Sequence, residues 1–261
     1  ELKKEAYERL KLDVKASHIL IASSEDDSSE DTLKAYQKAL KVKKLLKSGQ
    51  NFEEVAKKYS DDPSAQQNGG SLGYFTAFYM VYPFESAAYE TAAGEISDIV
   101  KSRFGYHVLR IDDKRPAVGE VKVAHILISS DPDLAKTDDP EGKIKEVYKK
   151  LESGDSFEDL AAQYSDDART ARDGGILPKF GVGRMVPEFE EKAFAIEEEG
   201  QYTRPFQTPY GWHIIRLIEK IDILPYEKMK PELTEKVKKD SRSNLSEKAV
   251  MFKIMKQYGF K

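Results

Sequence analysis

Four histidines are the residues whose spacing in this 261-residue chain most clearly suggests chemistry. His18 and His125 lie in the matching stretches "KASHILIAS" and "KVAHILISS", and His107 and His213 lie in "FGYHVLRI" and "YGWHIIRL". Near neutral pH an imidazole can exchange a proton, ligate a metal or hold a hydrogen bond. Alternation along a strand places all four rings on apolar faces, and a buried ring needs hydrogen-bond partners. We therefore predict that the first and last strands of each repeat are neighbours and that their two histidines hydrogen-bond to each other.

Other kinds of site fit these residues less well. A single histidine on an apolar strand is usually a core residue whose hydrogen bonds are satisfied, but four in the same arrangement favour a function. A zinc site needs three or four protein ligands, and no cluster of His, Cys or carboxylates has ligand spacing, so we predict no metal.

The elements that must position the histidines form an internal repeat of about a hundred residues. The stretch at 51–75, "NFEEVAKKYSDDPSAQQNGGSLGYF", matches 156–180 without a gap. In each copy the order is strand, helices, strand, helix and two strands, which predicts an α+β domain with helices packed on a four-stranded antiparallel sheet. The terminal segments either cover the domains or belong to a separate helical module. We assign a helical lead-in to 1–13, the domains to 14–115 and 120–222, and a C-terminal helical segment to 223–261.

Composition excludes several classes of protein. The formal net charge of −4 is unlike that of a nucleic-acid-binding surface, which needs clustered basic residues. The absence of cysteine excludes disulfides, thiolate catalysis and sulfur-ligated metal, and it weakly favours an oxidising compartment. No apolar run approaches the roughly 20 residues of a membrane span. The chain begins without Met or an apolar signal core, so we expect it to be cut from a longer protein.

Several motifs in a fixed order resemble the parvulin family of peptidyl-prolyl cis-trans isomerases. The first copy has "HILI", "YSDD", "NGGSLGYF", "MVYPFE" and "FGYHVLRI", and the second has "AHILI", "YSDD", "DGGILPKF", "GRMVPEFEEKAF" and "YGWHIIRL". The two sets cover about four fifths of the chain. Tandem copies between helical segments are similar to the SurA-type chaperone isomerases of the bacterial periplasm. The resemblance implies two tandem parvulin-like domains in a periplasmic or otherwise extracytoplasmic protein.

The resemblance also implies roles for individual residues. In the first copy the catalytic polar residues are His18, Asp62 and His107, with the hydroxyl of Ser102 supporting the histidines. The apolar pocket for the proline ring would consist of Leu72, Phe75, Met80 and Phe84. The equivalent residues of the second copy are His125, Asp167, His213, Thr208, Leu177, Phe180, Met185 and Phe189. From the residues alone, the apolar set could equally be core, and the two aspartates could simply shape the turn before "GG".

The implied activity is rotation about Xaa-Pro peptide bonds, which makes and breaks no bond and needs no cofactor or metal. Expected partners are proline-containing, unfolded or partly folded polypeptides, such as precursors of outer-membrane or secreted proteins. The acidic stretches "SSEDDSSEDT" and "SSDPDLAKTDDPEG" would repel a phosphate group. We therefore expect no preference for phosphopeptides.

A chaperone that holds peptides without catalysis is the alternative function. Exposed aromatic residues at Tyr74, Phe78, Tyr79 and Tyr82 would suit such a surface. The copies also differ near the pocket, since Pro178 stands where the first copy has a glycine, and proline has no amide donor. We expect the strand that passes the second pocket to follow a different path.

Overall fold

The computed structural model describes residues 1–243 and shows two compact units. Within this range, the first contains Glu1–Ala117 and residues 223–243, and the second contains Val118–Asp222. The predicted C-terminal helical segment is described only to residue 243, and its remainder, 244–261, lies outside the described residues. Among the described residues, no helix is both long enough and apolar enough to span a membrane.

The first unit contains a four-stranded antiparallel sheet with helices packed on it. Its strands are β1 (Leu12–Ala22), β2 (Ser71–Phe75), β3 (Val100–Ser102) and β4 (Gly105–Pro116). They lie in the order β2-β1-β4-β3. Its helices are α1 (Leu2–Leu10), α2 (Ser29–Lys47), α3 (Phe52–Tyr59), α4 (Ala65–Asn68) and α5 (Tyr82–Glu90). The predicted α+β fold is confirmed.

Local sequence signals fix where several of these helices begin and end. The side chain of Ser28 accepts a hydrogen bond from the Asp31 N–H at the start of α2, and Asn51 accepts one from Glu54 at the start of α3. Such caps satisfy amides that have no partner within the helix. Gly69 ends α4 with φ 62°, a left-handed conformation that glycine adopts without strain. The chain then enters β2 beside β1.

The sheet of the first unit has two apolar faces. On one face, Ile19, Ile21 and Val108 pack with buried residues of α2 and α3. On the other face, residues such as Ala16 and Leu109 pack with buried side chains of α5. Because side chains alternate along a strand, the two histidines of this unit point toward the face that α5 covers.

The second unit has the same arrangement with one strand fewer. Its strands are β5 (Glu120–Ser129), β6 (Phe206–Thr208) and β7 (Gly211–Ile221), in the order β5-β7-β6. Its helices are α6 (Pro140–Glu152), α7 (Phe157–Tyr164) and α8 (Pro187–Ala195), with a 3-10 turn at Ala171–Asp173.

The fourth strand expected in the second unit is reduced to two isolated bridges. Ile176 bridges to Ala124 and Phe180 bridges to Val121. Pro178 lies between the bridges and has no N–H to donate to a ladder. The four-stranded prediction therefore holds for the first sheet, and the second sheet departs from it where proline replaces glycine.

Two helices outside the repeat pack on the first unit. Helix α9 (Tyr226–Lys239) follows the second repeat, and α1 precedes the first. Leu233 of α9 and the α1 residues Ala6 and Leu10 form a buried cluster with Ala77, which lies between β2 and α5. The described flanking helices thus cover the loop that leads into α5.

Candidate functional site

Strand pairing places the two histidines of the first unit diagonally across β1 and β4. His18 lies opposite Leu109, and Leu20 lies opposite His107. The two rings are nearly parallel, with an interplanar angle of 18° and centroids 5.7 Å apart. The prediction that the first and last strands of the repeat are neighbours is confirmed.

Each ring of the first unit is hydrogen-bonded to an oxygen. His18 Nε2 lies 2.7 Å from Asp62 Oδ2, and His107 Nε2 lies 2.7 Å from Ser102 Oγ. The buried Nδ1 atoms of both rings have no hydrogen-bond partner among the described residues. The predicted hydrogen bond between the rings is therefore wrong. Diagonal strand positions set the rings side by side, while the carboxylate and the hydroxyl take the Nε2 atoms.

The partners of the rings determine their tautomers. A carboxylate only accepts, so Asp62 holds a proton on His18 Nε2. Ser102 Oγ accepts the N–H of Phe104 at 3.1 Å, which leaves its own hydroxyl proton for His107 Nε2. When its ring is neutral, His18 is therefore the Nε2–H tautomer, and His107, which burial keeps neutral, is the Nδ1–H tautomer. The two Nδ1 atoms are then one acceptor and one donor.

The second unit repeats this network. His125 lies opposite Ile215 and His213 opposite Leu127, and the ring centroids are 5.8 Å apart. His125 Nε2 lies 2.9 Å from Asp167 Oδ2. His213 Nε2 lies 2.8 Å from Thr208 Oγ1.

Thr170 joins the second network, and sequence reasoning missed it. Its hydroxyl donates to Asp167 Oδ2 at 2.8 Å and lies 3.4 Å from His125 Nε2. The repeat places Ala65 at the equivalent position of the first unit. The available signal was a hydroxyl residue three positions after the aspartate, where the first copy has none.

Burial keeps the second histidine of each pair neutral. It lowers the pKa of His107 to about 4 and that of His213 to about 3, and the neighbouring histidine adds to the effect. Burial also lowers the pKa of His125, against the opposing effect of Asp167.

Hydrogen bonds keep both aspartates ionised. Burial raises the pKa of Asp62, but hydrogen bonds from the Ser64 backbone N–H and from His18 outweigh it, so the pKa is lowered. For Asp167, hydrogen bonds from His125 and Thr170 likewise outweigh burial and lower the pKa to about 2. Near neutral pH each site therefore holds a carboxylate, and burial keeps His107, His125 and His213 neutral.

A phenylalanine lies against both histidines in each unit. Phe84 meets His18 and His107 edge-on, with centroids 5.6 and 5.3 Å away. Phe189 does the same to His125 and His213, at 5.8 and 5.4 Å. The two phenylalanines are only 3% and 4% exposed.

The other predicted pocket residues lie in the same apolar clusters. Phe75 is buried 6.3 Å from Phe84, and Leu72 and Met80 are half-buried at the edge of their cluster. In the second unit Phe180 lies 6.1 Å from Phe189, and the half-buried members are Leu177 and Met185. The phenylalanines thus form the base of each cluster, and the leucines and methionines reach its accessible edge.

Phe206 is a second residue of the site that sequence reasoning missed. Its ring is nearly parallel to that of His213, with centroids 5.6 Å apart, and it lies 6.3 Å from Phe189. The first unit has Val100 at the equivalent strand position, opposite His107. The aromatic cluster of the second site is therefore larger.

The expected surface of exposed aromatic residues is mostly wrong. Tyr79 is 38% exposed, but Tyr74, Phe78 and Tyr82 are half-buried. The Tyr74 hydroxyl is bound to Asp113, and arginines lie over the rings of all three. These side chains stabilise the first unit, so they do not form an open hydrophobic patch.

No group of three or more His, Cys, Asp or Glu side chains in residues 1–243 has the geometry of a metal site. The histidine Nε2 atoms of each network are held by its carboxylate and hydroxyl oxygens. The chemistry that this arrangement offers is a fixed set of hydrogen bonds beside an apolar pocket.

Comparison with known proteins assigns both repeats to one family. Residues 2–115 and 125–219 each match a model described as a PPIC-type PPIase domain. The chain is 36% identical over 208 residues to the chaperone SurA of Methylococcus capsulatus, covering 78% of this chain and 45% of that protein. It is 35% identical over 209 residues to the chaperone SurA of Methylobacillus flagellatus, covering 78% and 47%. The chain thus spans about half the length of the curated relatives it matches.

The solved structures that match cover a smaller share of the chain. The peptidylprolyl isomerase PrsA of Bacillus anthracis is 35% identical, with 54% of this chain and 61% of that chain covered and a TM-score of 0.36. NmPin, the parvulin of Nitrosopumilus maritimus, is 38% identical, with 38% and 94% covered and a TM-score of 0.31. Since two PPIC-type models cover most of the sequence, this chain belongs to the parvulin family of peptidyl-prolyl isomerases and carries two tandem domains of that family.

Proposed function

We propose that both parvulin domains, at 14–115 and 120–222, catalyse rotation about Xaa-Pro bonds in unfolded or partly folded polypeptides and also bind these chains as a chaperone does. The observation that carries the proposal is the duplicated network. In each unit an aspartate, two histidines and a hydroxyl residue lie around one buried phenylalanine. Structural need alone does not explain why two histidines and a hydroxyl residue are buried in both units, because burying polar groups opposes folding.

The reaction suits a site of this kind. Rotation about the amide has a barrier of roughly 18–20 kcal/mol and makes or breaks no bond. An enzyme lowers the barrier by binding the twisted amide more tightly than the planar one. The half-buried Met80 and Leu72, with Phe84 beneath them, would grip the proline ring, and Met185, Leu177 and Phe189 would do so in the second unit.

The histidines act in this proposal as a rigid polar floor. Two of them have a pKa of about 4 or about 3, so they stay neutral near neutral pH and are poor proton carriers. Their Nε2 atoms are already bound to oxygens, which fixes the ring orientations. A dry, ordered floor of this kind withholds water from the amide and so disfavours its planar, charge-separated form.

The expected clients follow from the family and from the charge of the chain. The relatives named SurA are chaperones, and we infer that this chain also acts on unfolded proteins, such as precursors of outer-membrane or secreted proteins in the periplasm. The net charge of −4 gives no support for nucleic acid as a partner. The reaction needs no cofactor.

The proposal is tested by exchange NMR on a tetrapeptide with an Ala-Pro bond. The wild-type chain should accelerate cis-trans exchange, and replacing all four histidines by alanine should reduce the acceleration by about tenfold, equivalent to about 1.4 kcal/mol of transition-state stabilisation. Leu134→Ala is the matched control, because Leu134 is apolar and 62% exposed.

The same assay distinguishes catalysis from the alternative function, which is peptide holding without catalysis. A wild-type chain that binds the peptide, seen as line broadening, without accelerating exchange would act only as a holding chaperone. Acceleration that is unchanged in the histidine variant would contradict the role assigned to the polar floor. Where the histidine variant does lose acceleration, replacing one histidine pair at a time by alanine identifies which unit catalyses the exchange.

A further inference from the structure

A glutamate follows the pocket phenylalanine in both units. Glu85 comes directly after Phe84, and Glu190 comes directly after Phe189. Glu85 is fully buried and Glu190 is half-buried. A buried carboxylate must be paired or hydrogen-bonded to be tolerated. The partners of these two glutamates show what each of them holds in place.

Glu190 holds the loop that carries the pocket methionine of the second unit. Its carboxylate accepts three backbone N–H bonds, from Gly183 at 3.0 Å, Arg184 at 2.6 Å and Met185 at 2.8 Å. Gly183 has φ 78°, which glycine adopts without strain. The second unit therefore supports this loop with groups of its own repeat.

Glu85 binds the equivalent loop of the first unit and is itself bound by two side chains from outside the repeat. It accepts the N–H of Phe78 at 2.7 Å. It also accepts hydrogen bonds from Arg9 Nη1 at 3.0 Å and from Arg242 Nη2 at 2.8 Å. Arg9 lies on α1, and Arg242 lies just after α9. The carboxylate thus joins the pocket loop to both flanking helical segments.

The loop in the first unit also has a backbone that needs support. Phe78 has φ 68°, and within residues 1–243 it is the one residue other than glycine with a positive φ. A bulky side chain is strained in this region and persists only where its surroundings hold it. The guanidinium of Arg242 lies 4.1 Å from the centre of the Phe78 ring. Arg242 therefore holds both the glutamate and the strained residue.

The burial of the cluster makes the connection strong. The side chains of Glu85 and Arg242 are fully buried, and that of Arg9 is 9% exposed. Removing one partner of a buried ion pair leaves an uncompensated charge, which is far more disruptive than losing a surface pair. The loop cannot move away from the flanking segments without exposing or orphaning these charges.

We propose that Glu85 and Glu190 are positioning residues for the loops that carry Met80 and Met185, and that in the first unit this positioning depends on α1 and on the segment after α9. The inference rests on the proposed function, because it assumes that the two methionines contact proline. Peptide binding by the first unit is then coupled to the docking of the flanking segments, and this coupling is reciprocal. Among residues 1–243, Glu190 is bound by amides of its own repeat.

Methyl NMR of the full chain labelled in its methionine methyl groups tests the proposal. Met80 and Met185 report separately on the two pockets during titration with an Ala-Ala-Pro-Phe tetrapeptide. In Glu85→Gln we expect the peptide to bind about tenfold more weakly at Met80 and unchanged at Met185. Glu190→Gln should give the reverse pattern. Arg9→Met and Arg242→Met should weaken only the Met80 response.

Two control variants and the outcomes below distinguish a failure of this inference from a failure of the proposed function. Glu90→Gln and Glu191→Gln change exposed glutamates of the same two helices and should alter neither response. If neither methyl of the wild-type chain responds to peptide, the proposed function fails. If the wild type responds and both Glu85→Gln and Arg242→Met bind at Met80 as the wild type does, the inference is overturned. If Glu85→Gln does not fold, Arg9→Met and Arg242→Met decide, since each leaves Glu85 one arginine partner.

Discussion

Asp62 and Asp167 occupy equivalent places in the two units, but their surroundings differ. The side chain of Asp62 is 23% exposed and that of Asp167 is 8% exposed. Asp62 receives hydrogen bonds from the exposed Ser64, whereas Asp167 receives one from Thr170, which also lies next to His125. The second network is therefore more buried, and the hydroxyl beside its aspartate also lies next to a histidine.

The loops that carry Met80 and Met185 also differ between the units. The second loop has a glycine at its left-handed position and a glutamate whose carboxylate binds three backbone amides of its own repeat. The first loop has Phe78 at that position and a glutamate bound by two arginines from outside the repeat. The comparison teaches that two copies with the same polar network can be supported in different ways, one by its own residues and one by the flanking helices.

The largest expected effect comes from removing the phenylalanine at the base of one pocket. Phe189→Ala should destabilise the second unit by about 3–5 kcal/mol, because it leaves a cavity in a buried cluster. Phe84→Ala should do the same to the first unit. Trp212, the single tryptophan, packs against the core of the second unit.

Urea unfolding followed by Trp212 fluorescence distinguishes these variants. Phe189→Ala should shift the fluorescence transition, whereas Phe84→Ala should leave it in place and shift only part of the circular dichroism signal. Equal shifts of the fluorescence transition in both variants would contradict separate cores for the two units.

Acid should destabilise both units, and the second down to a lower pH. A histidine with a lowered pKa binds fewer protons in the folded state than in the unfolded state, so stability is lost as pH falls below about 6.5. Each such histidine contributes about 1.4 kcal/mol per pH unit in this window. The loss from His107 should level off near pH 4, and that from His213 near pH 3.

The second unit should lose stability down to a lower pH because the pKa of His213 is lower than that of His107, and burial lowers the pKa of His125 as well. The lowered pKa values of Asp62 and Asp167 act in the same direction, and their contribution is lost below pH 3.8. Urea titrations at pH 7, 5.5, 4.5 and 3.5 measure how the free energy of unfolding of each unit depends on pH. Stability that rises on acidification would contradict the assignment of neutral buried rings.

A smaller effect is expected from removing the hydroxyl group that donates to each aspartate, Thr170 in the second unit and Ser64 in the first. Thr170→Ala should cost about 1 kcal/mol of stability in the second unit and raise the pKa of Asp167, because a buried hydrogen bond to a charged group is lost. Ser64→Ala in the first unit is the matched change, and since Ser64 is exposed its effect should be a few tenths of a kcal/mol. Carboxyl NMR titration of the two aspartates measures both shifts. Equal effects would remove this distinction between the sites.

The smallest effect is expected where the two units agree. Both have an acidic segment after the first strand of the repeat. Phosphorylating the serine of a Ser-Pro peptide should therefore not speed its exchange by either unit. A phosphopeptide that is turned over well above its unphosphorylated form would contradict the predicted client class.

Much of this arrangement could be predicted from the sequence, because it depends on local patterns. Strand alternation placed His18 and His107 on one apolar face, and the repeat extended this to the second unit. The roles of Asp62 and Ser102 required the family resemblance, since no local pattern connects residues so far apart in the chain.

The rest depends on tertiary contacts that a single sequence does not reveal. The predicted bond between the rings is wrong, because strand register sets them diagonally and oxygen atoms bind both Nε2 atoms. The contact of Glu85 with Arg242 joins residues 157 positions apart. Phe206 looks like any strand residue until the register places it opposite His213.

Exchange NMR of an Ala-Pro peptide with pocket variants of the full chain decides whether each unit contains its own proline site. Met80→Ala and Met185→Ala change half-buried side chains at the edge of each pocket. We predict that each single variant retains the acceleration of the other unit and that the double variant loses most of it. Full acceleration in the double variant would contradict the claim.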